Sequence, residues 1–302
     1  MKKDVPVKYA HSANLFQFCR KVLDHKFGGI RVIDQDVGQI LGFDPADCSH
    51  WKKGKKNIRS IQAMKAIADH LGVDEKLVVD VASGDIDESE AFNEYCGYGA
   101  FQLDGKVIEA AKKDFYRNNA GNWSKDRETE FRNSFSANEP EIDQAVKAIH
   151  AKINFGEAPL YLPEVISSYP DIELTARSSG EENGSGAVTV SKDGDRTTIT
   201  YTSGTEMKPY MRYQIAKALA EHFLSNLRPQ KDKLSSYDEH LIDVQKNLFA
   251  AKLLAPAHLI RKEMAQINVA KDIVSQLSEV FWVSKTFMNR RLKDILQGSP
   301  TL

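Results

Sequence analysis

At 302 residues the chain has room for about two domains, taking ~100–200 residues for each. An apolar share of 41% can fill their cores, while 27% charged residues and a net charge of −1 leave no global pull toward nucleic acid or membranes, so any basic surface must be local. Three widely spaced cysteines (Cys19, Cys48, Cys96), odd in number and without a CxxC pair, argue against a disulfide framework or a cysteine zinc site and for a reducing compartment. The opening MKKDVPVKYAHSANLF is too polar for a secretory signal, and no run of ~18 apolar residues occurs, so a soluble, cytoplasmic protein without a membrane partner is expected.

The first apolar stripe, Leu15, Phe16, Cys19, Val22 and Leu23, predicts a helix over 12–25 that Gly28-Gly29 ends. A short helix follows over Gln35–Leu41, burying Val37, Ile40 and Leu41. Gly42 makes a tight turn, Asp44 is a good N-cap, and Pro45 sits at the first helical position, where its missing N–H costs nothing. The helix Pro45–Lys53 points Cys48 and Trp51 inward and leaves Ala46, Asp47, Ser49, His50 and Lys53 outward. Two more helices are expected, Ser60–Leu71 with Ile61, Met64, Ile67, Ala68 and Leu71 inside, and Asp74 to about Val81. Lys52, Lys53, Lys55, Lys56 and Arg59 cluster just after the Trp, with no acid between Cys48 and Ala68. Such a cluster suits phosphates, whose neutralisation releases counterions and supplies the sequence-independent part of binding.

Helix, Gly-containing turn, helix, Trp and basic loop together resemble the lambda-repressor-like (Xre) family over residues 14–82. The family's LGV-S-x-x-x-I-S-x-W-x-x-G core stands here as LGFDPADCSHWKKG. The resemblance implies that Pro45–Lys53 enters the major groove of double-stranded DNA with Pro45, Ala46, Ser49 and His50 toward the bases and Gln35 near phosphate. His50 can hydrogen-bond a base edge and Ala46 can touch a thymine methyl. Asp47 departs from the helpful pattern; its natural partner is a cytosine amine. The competing reading is a helical module for protein contacts whose lysines form a solvated face.

From Asp74 to Glu94 the charge reverses, which reads as the exit from the first domain (1–84) into an acidic linker and connecting helical segment (85–139). Aromatic residues crowd 92–137 without a motif that carries chemistry, and a helix is expected around Lys106–Arg117. Pro140–Ile153 reads as a helix with Ile142, Val146, Ile149 and Ile153 inside, and Pro163–Tyr169 as another. A strand starts at Ile172, a flexible loop spans Ser178–Gly186, and strands Ala187–Val190 and Thr197–Tyr201 form a hairpin with Asp193-Gly194 at its tip. Helices follow over RYQIAKALAEHFL (Arg212–Leu224), Asp238–Leu254, from Pro256, Val269–Val280 and Ser284–Leu296.

Over about 140–296 this order resembles the ImmA/IrrE-like metallopeptidases. Their successive motifs stand here as ITYT, RYQIAKALAEHFL, QKNLFAAKLLAP and VSKTFMNRRL. In that family an H-E-x-x-H helix holds zinc and a general base. Here Lys217 stands in place of the first histidine, Ala218 in place of the glutamate and Glu221 in place of the second histidine, and Gln245 replaces the third ligand. Only Glu221 among them is a fair zinc donor, so the resemblance implies a degenerate site with no metal or other cofactor. A site shifted to His222 and His240 is disfavoured, since His222 faces ~100° away from Glu221. The i, i+4 spacing of Lys217 and Glu221 instead predicts an ion pair beside the Gln245 carbonyl. The terminal helix, with Lys285, Arg290, Arg291 and Lys293, is expected to pack as a cap rather than touch DNA.

The expected fold is therefore mainly α with a small β-sheet (α+β), a five-helix helix-turn-helix domain plus a zincin-like domain over 140–302. The expected function is a dimeric DNA-binding transcriptional regulator whose inactive second domain dimerises or senses a protein or small-molecule effector. A repressor-cleaving metalloprotease and an antitoxin-like or decoy interaction module remain open as alternatives.

Overall fold

In a computed structural model describing residues 8–27, 32–97, 105–118, 122–129, 139–178, 188–203, 207–224, 236–268 and 270–297, the chain is mainly helical with one small three-stranded sheet, an α+β arrangement. It divides into two units, Met1–Tyr98 and Gly99–Leu302. The expected helix stop at Gly28-Gly29, most of the loop after Ser178, and Phe101, Phe131 and Phe135 lie outside the described residues.

The first unit is built around α1 (Ala10–Lys26), which buries Leu15, Phe16, Phe18, Cys19, Val22 and Leu23. These residues recur over a wide face, so α1 can touch α2 (Asp34–Leu41), α3 (Pro45–Lys52), α4 (Ile61–Leu71), α5 (Glu75–Ser83) and α6 (Glu88–Gly97). Short polar side chains start these helices: Asp44 accepts from the Ala46 N–H at 2.8 Å and Asp74 from the Lys76 N–H at 2.9 Å. Their C-termini close in one recurring way, a residue two or three beyond each end donating back to the carbonyl five residues before it. The bonds are Phe43 N to Gly38 O (2.8 Å), Lys55 N to His50 O (2.8 Å), Val73 N to Ala68 O (3.0 Å) and Asp85 N to Asp80 O (2.9 Å). Between α2 and α3 the closure needs a left-handed residue, and Gly42 supplies it at φ +72°. Gly38 serves closeness instead: a Cβ there would lie 2.7 Å from Cys48 Sγ and 3.0 Å from the Phe43 carbonyl.

Two expectations change in this unit. Residues 88–97 are not linker but helix α6 docked on α1, with Ala91 fully buried and Phe92 and Tyr95 edge-on to His25 at 5.9 and 5.8 Å. The apolar positions Ala91, Phe92 and Tyr95 share one helical face within the acidic run, and that face docks on α1 with Glu94 buried alongside. Together with helix α7 (Gly105–Asn118), which packs in the second unit, this splits the expected 85–139 segment between the two units. Ile61, expected inside, is the first residue of α4 and is 79% exposed. The core side of α4 begins one turn later.

In the second unit α8 (Glu139–Lys152) buries Ile142, Val146 and Ile149, and Ile153 follows it into the core. After α9 (Leu162–Ser167) comes a sheet of order β1-β3-β2, in which β1 (Ile172–Ser178) runs parallel to β3 (Arg196–Ser203) and β2 (Val188–Asp193) antiparallel to it. The Asp193-Gly194 hairpin tip is in place, with Asp193 paired to Arg196 and Gly194 at φ +58°. Helix α10 (Pro209–Phe223) packs on β2, β3 and α11 (Ser236–Leu254), and α11 also meets α7 and α8. The chain continues through α12 (Ala257–Met264), α13 (Ile273–Phe281) and α14 (Lys285–Gln297). Helix α13 starts later than the expected 269 because Asp272 caps it, accepting from the Ser275 N–H at 3.3 Å. Among the described residues no helix is long and apolar enough to cross a membrane.

Candidate functional site

Trp51 sets the rotation of α3. Its indole N–H donates to the Ser12 carbonyl, and its ring stands edge-on to Phe16 at 5.1 Å and tilted on Phe43 at 5.0 Å. With Trp51 and Cys48 inside, the helix turns Pro45, Ala46 and His50 to solvent, with Ser49 half-buried and Lys53 exposed just past its end. Gln35 is exposed at the start of α2. Burial also pushes the Cys48 thiol up and the Cys19 thiol far up, which keeps both sulfurs neutral and unreactive.

The basic loop after α3 is tied to the start of α1. The Tyr9 N–H donates to the Gly54 carbonyl at 3.0 Å. Ser12 Oγ accepts from the Ile58 N–H at 2.9 Å and donates to Asn57 Oδ1 at 3.1 Å, and Ile58 is 4% exposed. The loop therefore presents Lys53, Lys55 and Arg59 as an exposed group on a fixed backbone next to the α3 face. Lys52 and Lys56 are held differently. Lys52 pairs with Asp34 at 2.6 Å, where Arg20 also approaches at 3.9 Å, and Lys56 pairs with Asp47. Sequence reasoning took all these lysines as phosphate-facing and Asp47 as a base acceptor. The structure gives Asp47 a lysine partner nine residues on, the spacing at which the loop folds back over α3.

A second polar cluster lies between α10 and α11. Here the expected Lys217–Glu221 pair is not formed: Lys217 Nζ lies 2.6 Å from Asp243 Oδ1, and Glu221 pairs with Lys246. Lys217 reaches across to α11, where its partner carboxylate, Asp243, carries a second anchor. Asp243 Oδ2 accepts from Asn247 Nδ2 at 2.9 Å, and Asn247 Oδ1 accepts from the fully buried Tyr213 hydroxyl at 2.7 Å. That burial pushes the Tyr213 phenol well up, fixing it as a donor. Gln245 is buried, 5% exposed, and Ala218 lies in the core at 7%. Asp243, Lys246 and Asn247 escaped sequence reasoning; their D-x-x-K-N spacing on one side of α11 was the available signal.

His222 uses both ring nitrogens. Nε2 faces Asp171 at 3.0 Å and Nδ1 faces the Thr197 hydroxyl at 2.9 Å, while burial first of all lowers its pKa. The His240 side chain, the other half of the disfavoured shifted site, lies outside the described residues. Among the described residues no group of three or more His, Cys, Asp and Glu side chains is placed to hold a metal ion. At the three positions where the resemblance would put zinc ligands, the side chains do not fit the ion: the Lys217 ammonium offers no lone pair, the Glu221 carboxylate is engaged by Lys246, and Gln245 offers only a neutral amide.

Two arginines close the unit. Arg212, 1% exposed, donates to the carbonyls of Leu160, Phe281 and Trp282 and lies 4.4 Å over the Trp282 ring; burial without a carboxylate lowers it to about 10. Arg291 is also internal, donating to the Ala255 carbonyl at 3.1 Å and pairing with Asp294. Thr286, Phe287 and Met288 are buried beside it, so this side of α14 is a packing face.

No protein-family model matches the chain, and no curated protein or solved structure matches it.

Proposed function

We propose that the chain is a sequence-specific DNA-binding transcriptional regulator, with α2 and α3 as a helix-turn-helix reading head of the Xre type. The observation that carries this reading is the rotation of α3: Trp51 and Cys48 anchor one side, while Pro45, Ala46 and His50 stand exposed beside the Lys53–Arg59 loop. A helix presented this way fits the major groove, and the pinned loop fits the flanking phosphates. Ala46 offers a methyl contact to thymine and His50 a hydrogen bond to a base edge.

The second unit is proposed to have kept a zincin-like scaffold and lost its chemistry, serving dimerisation or the sensing of a protein or small-molecule effector. Lys217, Ala218, Glu221 and Gln245 support that reading, the first and third being consumed in ion pairs with α11. Two linked heads gain affinity and specificity from two half-sites, which favours a homodimer on DNA.

Selection of bound duplexes from a random-sequence pool by the full chain tests the proposal. The expected result is enrichment of one motif with two related half-sites. A pool recovered without any shared motif overturns it.

A further inference from the structure

Four acid–base partners crowd the DNA-facing side of the first unit, and their pairing has a consequence for how DNA is held. Lys52 Nζ is 2.6 Å from Asp34 Oδ2, and Lys56 Nζ is on Asp47 Oδ2. All four side chains are between 36% and 44% exposed, so they lie at the surface where a phosphate can reach them. Lys53, Lys55 and Arg59 stand exposed alongside. Building on the proposed DNA reading, we infer that Asp34 and Asp47 are built-in competitors for the phosphate backbone: DNA binding exchanges carboxylate for phosphate at Lys52 and Lys56, so these two aspartates set affinity and salt response and read no base.

An ammonium already neutralised by a carboxylate gains less from a phosphate than a solvated one. The carboxylate it leaves then stands within a Debye length of the phosphates and repels them. Counterion bookkeeping follows: a lysine that meets phosphate releases a cation, but the freed aspartate takes one up, so the pair adds little to the salt slope. Neither aspartate is needed to start its helix. Asp44 caps α3, and Asp36 accepts from the Ile33 N–H at 2.9 Å at the start of α2. Asp47 is aimed at the loop lysine rather than along the exposed Ala46–His50 face.

Fluorescence anisotropy on the full chain tests this, with wild type, Asp34→Asn, Asp47→Asn and the double variant titrated against random-sequence duplex and the most enriched duplex over a salt series. Each substitution is expected to tighten binding about two- to tenfold at low salt on both duplexes, leaving their ratio unchanged. The slope of log affinity against log salt should steepen by up to ~0.9 for each lysine released. Asp47→Ser, which removes the same charge, replaces Asp47→Asn should the latter fail to show a native thermal melt. Wild-type binding with variants no tighter, or a variant that changes the ratio between duplexes, overturns the inference and leaves the DNA reading standing. A wild type that binds neither duplex at any salt overturns both.

Discussion

Gly38 is where one missing atom decides how closely α2 and α3 pack. Cys48 Sγ sits 2.7 Å from the place a Cβ would take, and the Phe43 carbonyl at 3.0 Å bars retreat on the other side. Gly38→Ala should therefore destabilise the first unit by about 1–3 kcal/mol, seen as a lower thermal midpoint; an unchanged midpoint would mean that α2 and α3 separate without cost. In the second unit the Tyr213 hydroxyl holds Asn247, which in turn holds Asp243 for Lys217. Tyr213→Phe leaves a buried amide oxygen without its donor and should cost about 1–3 kcal/mol in a denaturant titration. At this scale the sequence was only partly readable. The outward Ala46 and His50 followed from Trp51 and Cys48, because one buried pair fixes a helix face. The partners of Lys217, Lys56 and Glu221 did not, because long side chains choose between neighbours that only the crossing of helices brings near.

At the scale of elements, caps and apolar spacing located most helices to within a residue or two. Asp44, Ser60 and Asp74 open α3, α4 and α5, and the Asp193-Gly194 tip joins β2 to β3. Helix α6 was missed because its acids masked a narrow apolar face. The join of sheet to α10 carries a prediction on pH. His222 bridges Asp171 and Thr197, and His150 in α8 lies 3.0 Å from the Leu253 carbonyl. Burial, the largest cause for both, lowers their pKa, so the folded chain stays neutral where the unfolded chain takes a proton. Their stabilisation is complete above the unfolded value of about 6.5 and is lost as pH falls through the lower folded values. Urea midpoints should thus drop between pH 7.5 and 5.5, and drop less in a His150→Gln plus His222→Gln variant; equal losses in both proteins would refute the assignment.

For the whole molecule, the proposal separates a DNA-reading unit from one in which lysine–carboxylate pairs occupy a protease-like helix pair. Purified protein analysed for metal should hold far less than one zinc per chain, and chelator should leave its melting unchanged; stoichiometric zinc would return the second unit to the enzymes. Legibility differed between the units for a physical reason. The exposed positions Ala46 and His50 on α3 follow from its buried pair, Cys48 and Trp51, which a sequence pattern records. The cross-helix pairs of Lys217 and Glu221 depend on how α10 and α11 pack, which no spacing along one helix specifies. The most direct measurement is an electrophoretic shift titration of wild type against a His50→Ala plus Lys53→Glu variant on a duplex enriched by selection. The variant should bind at least about tenfold more weakly, with an unchanged melting temperature. Equal binding by the two proteins would contradict the DNA reading.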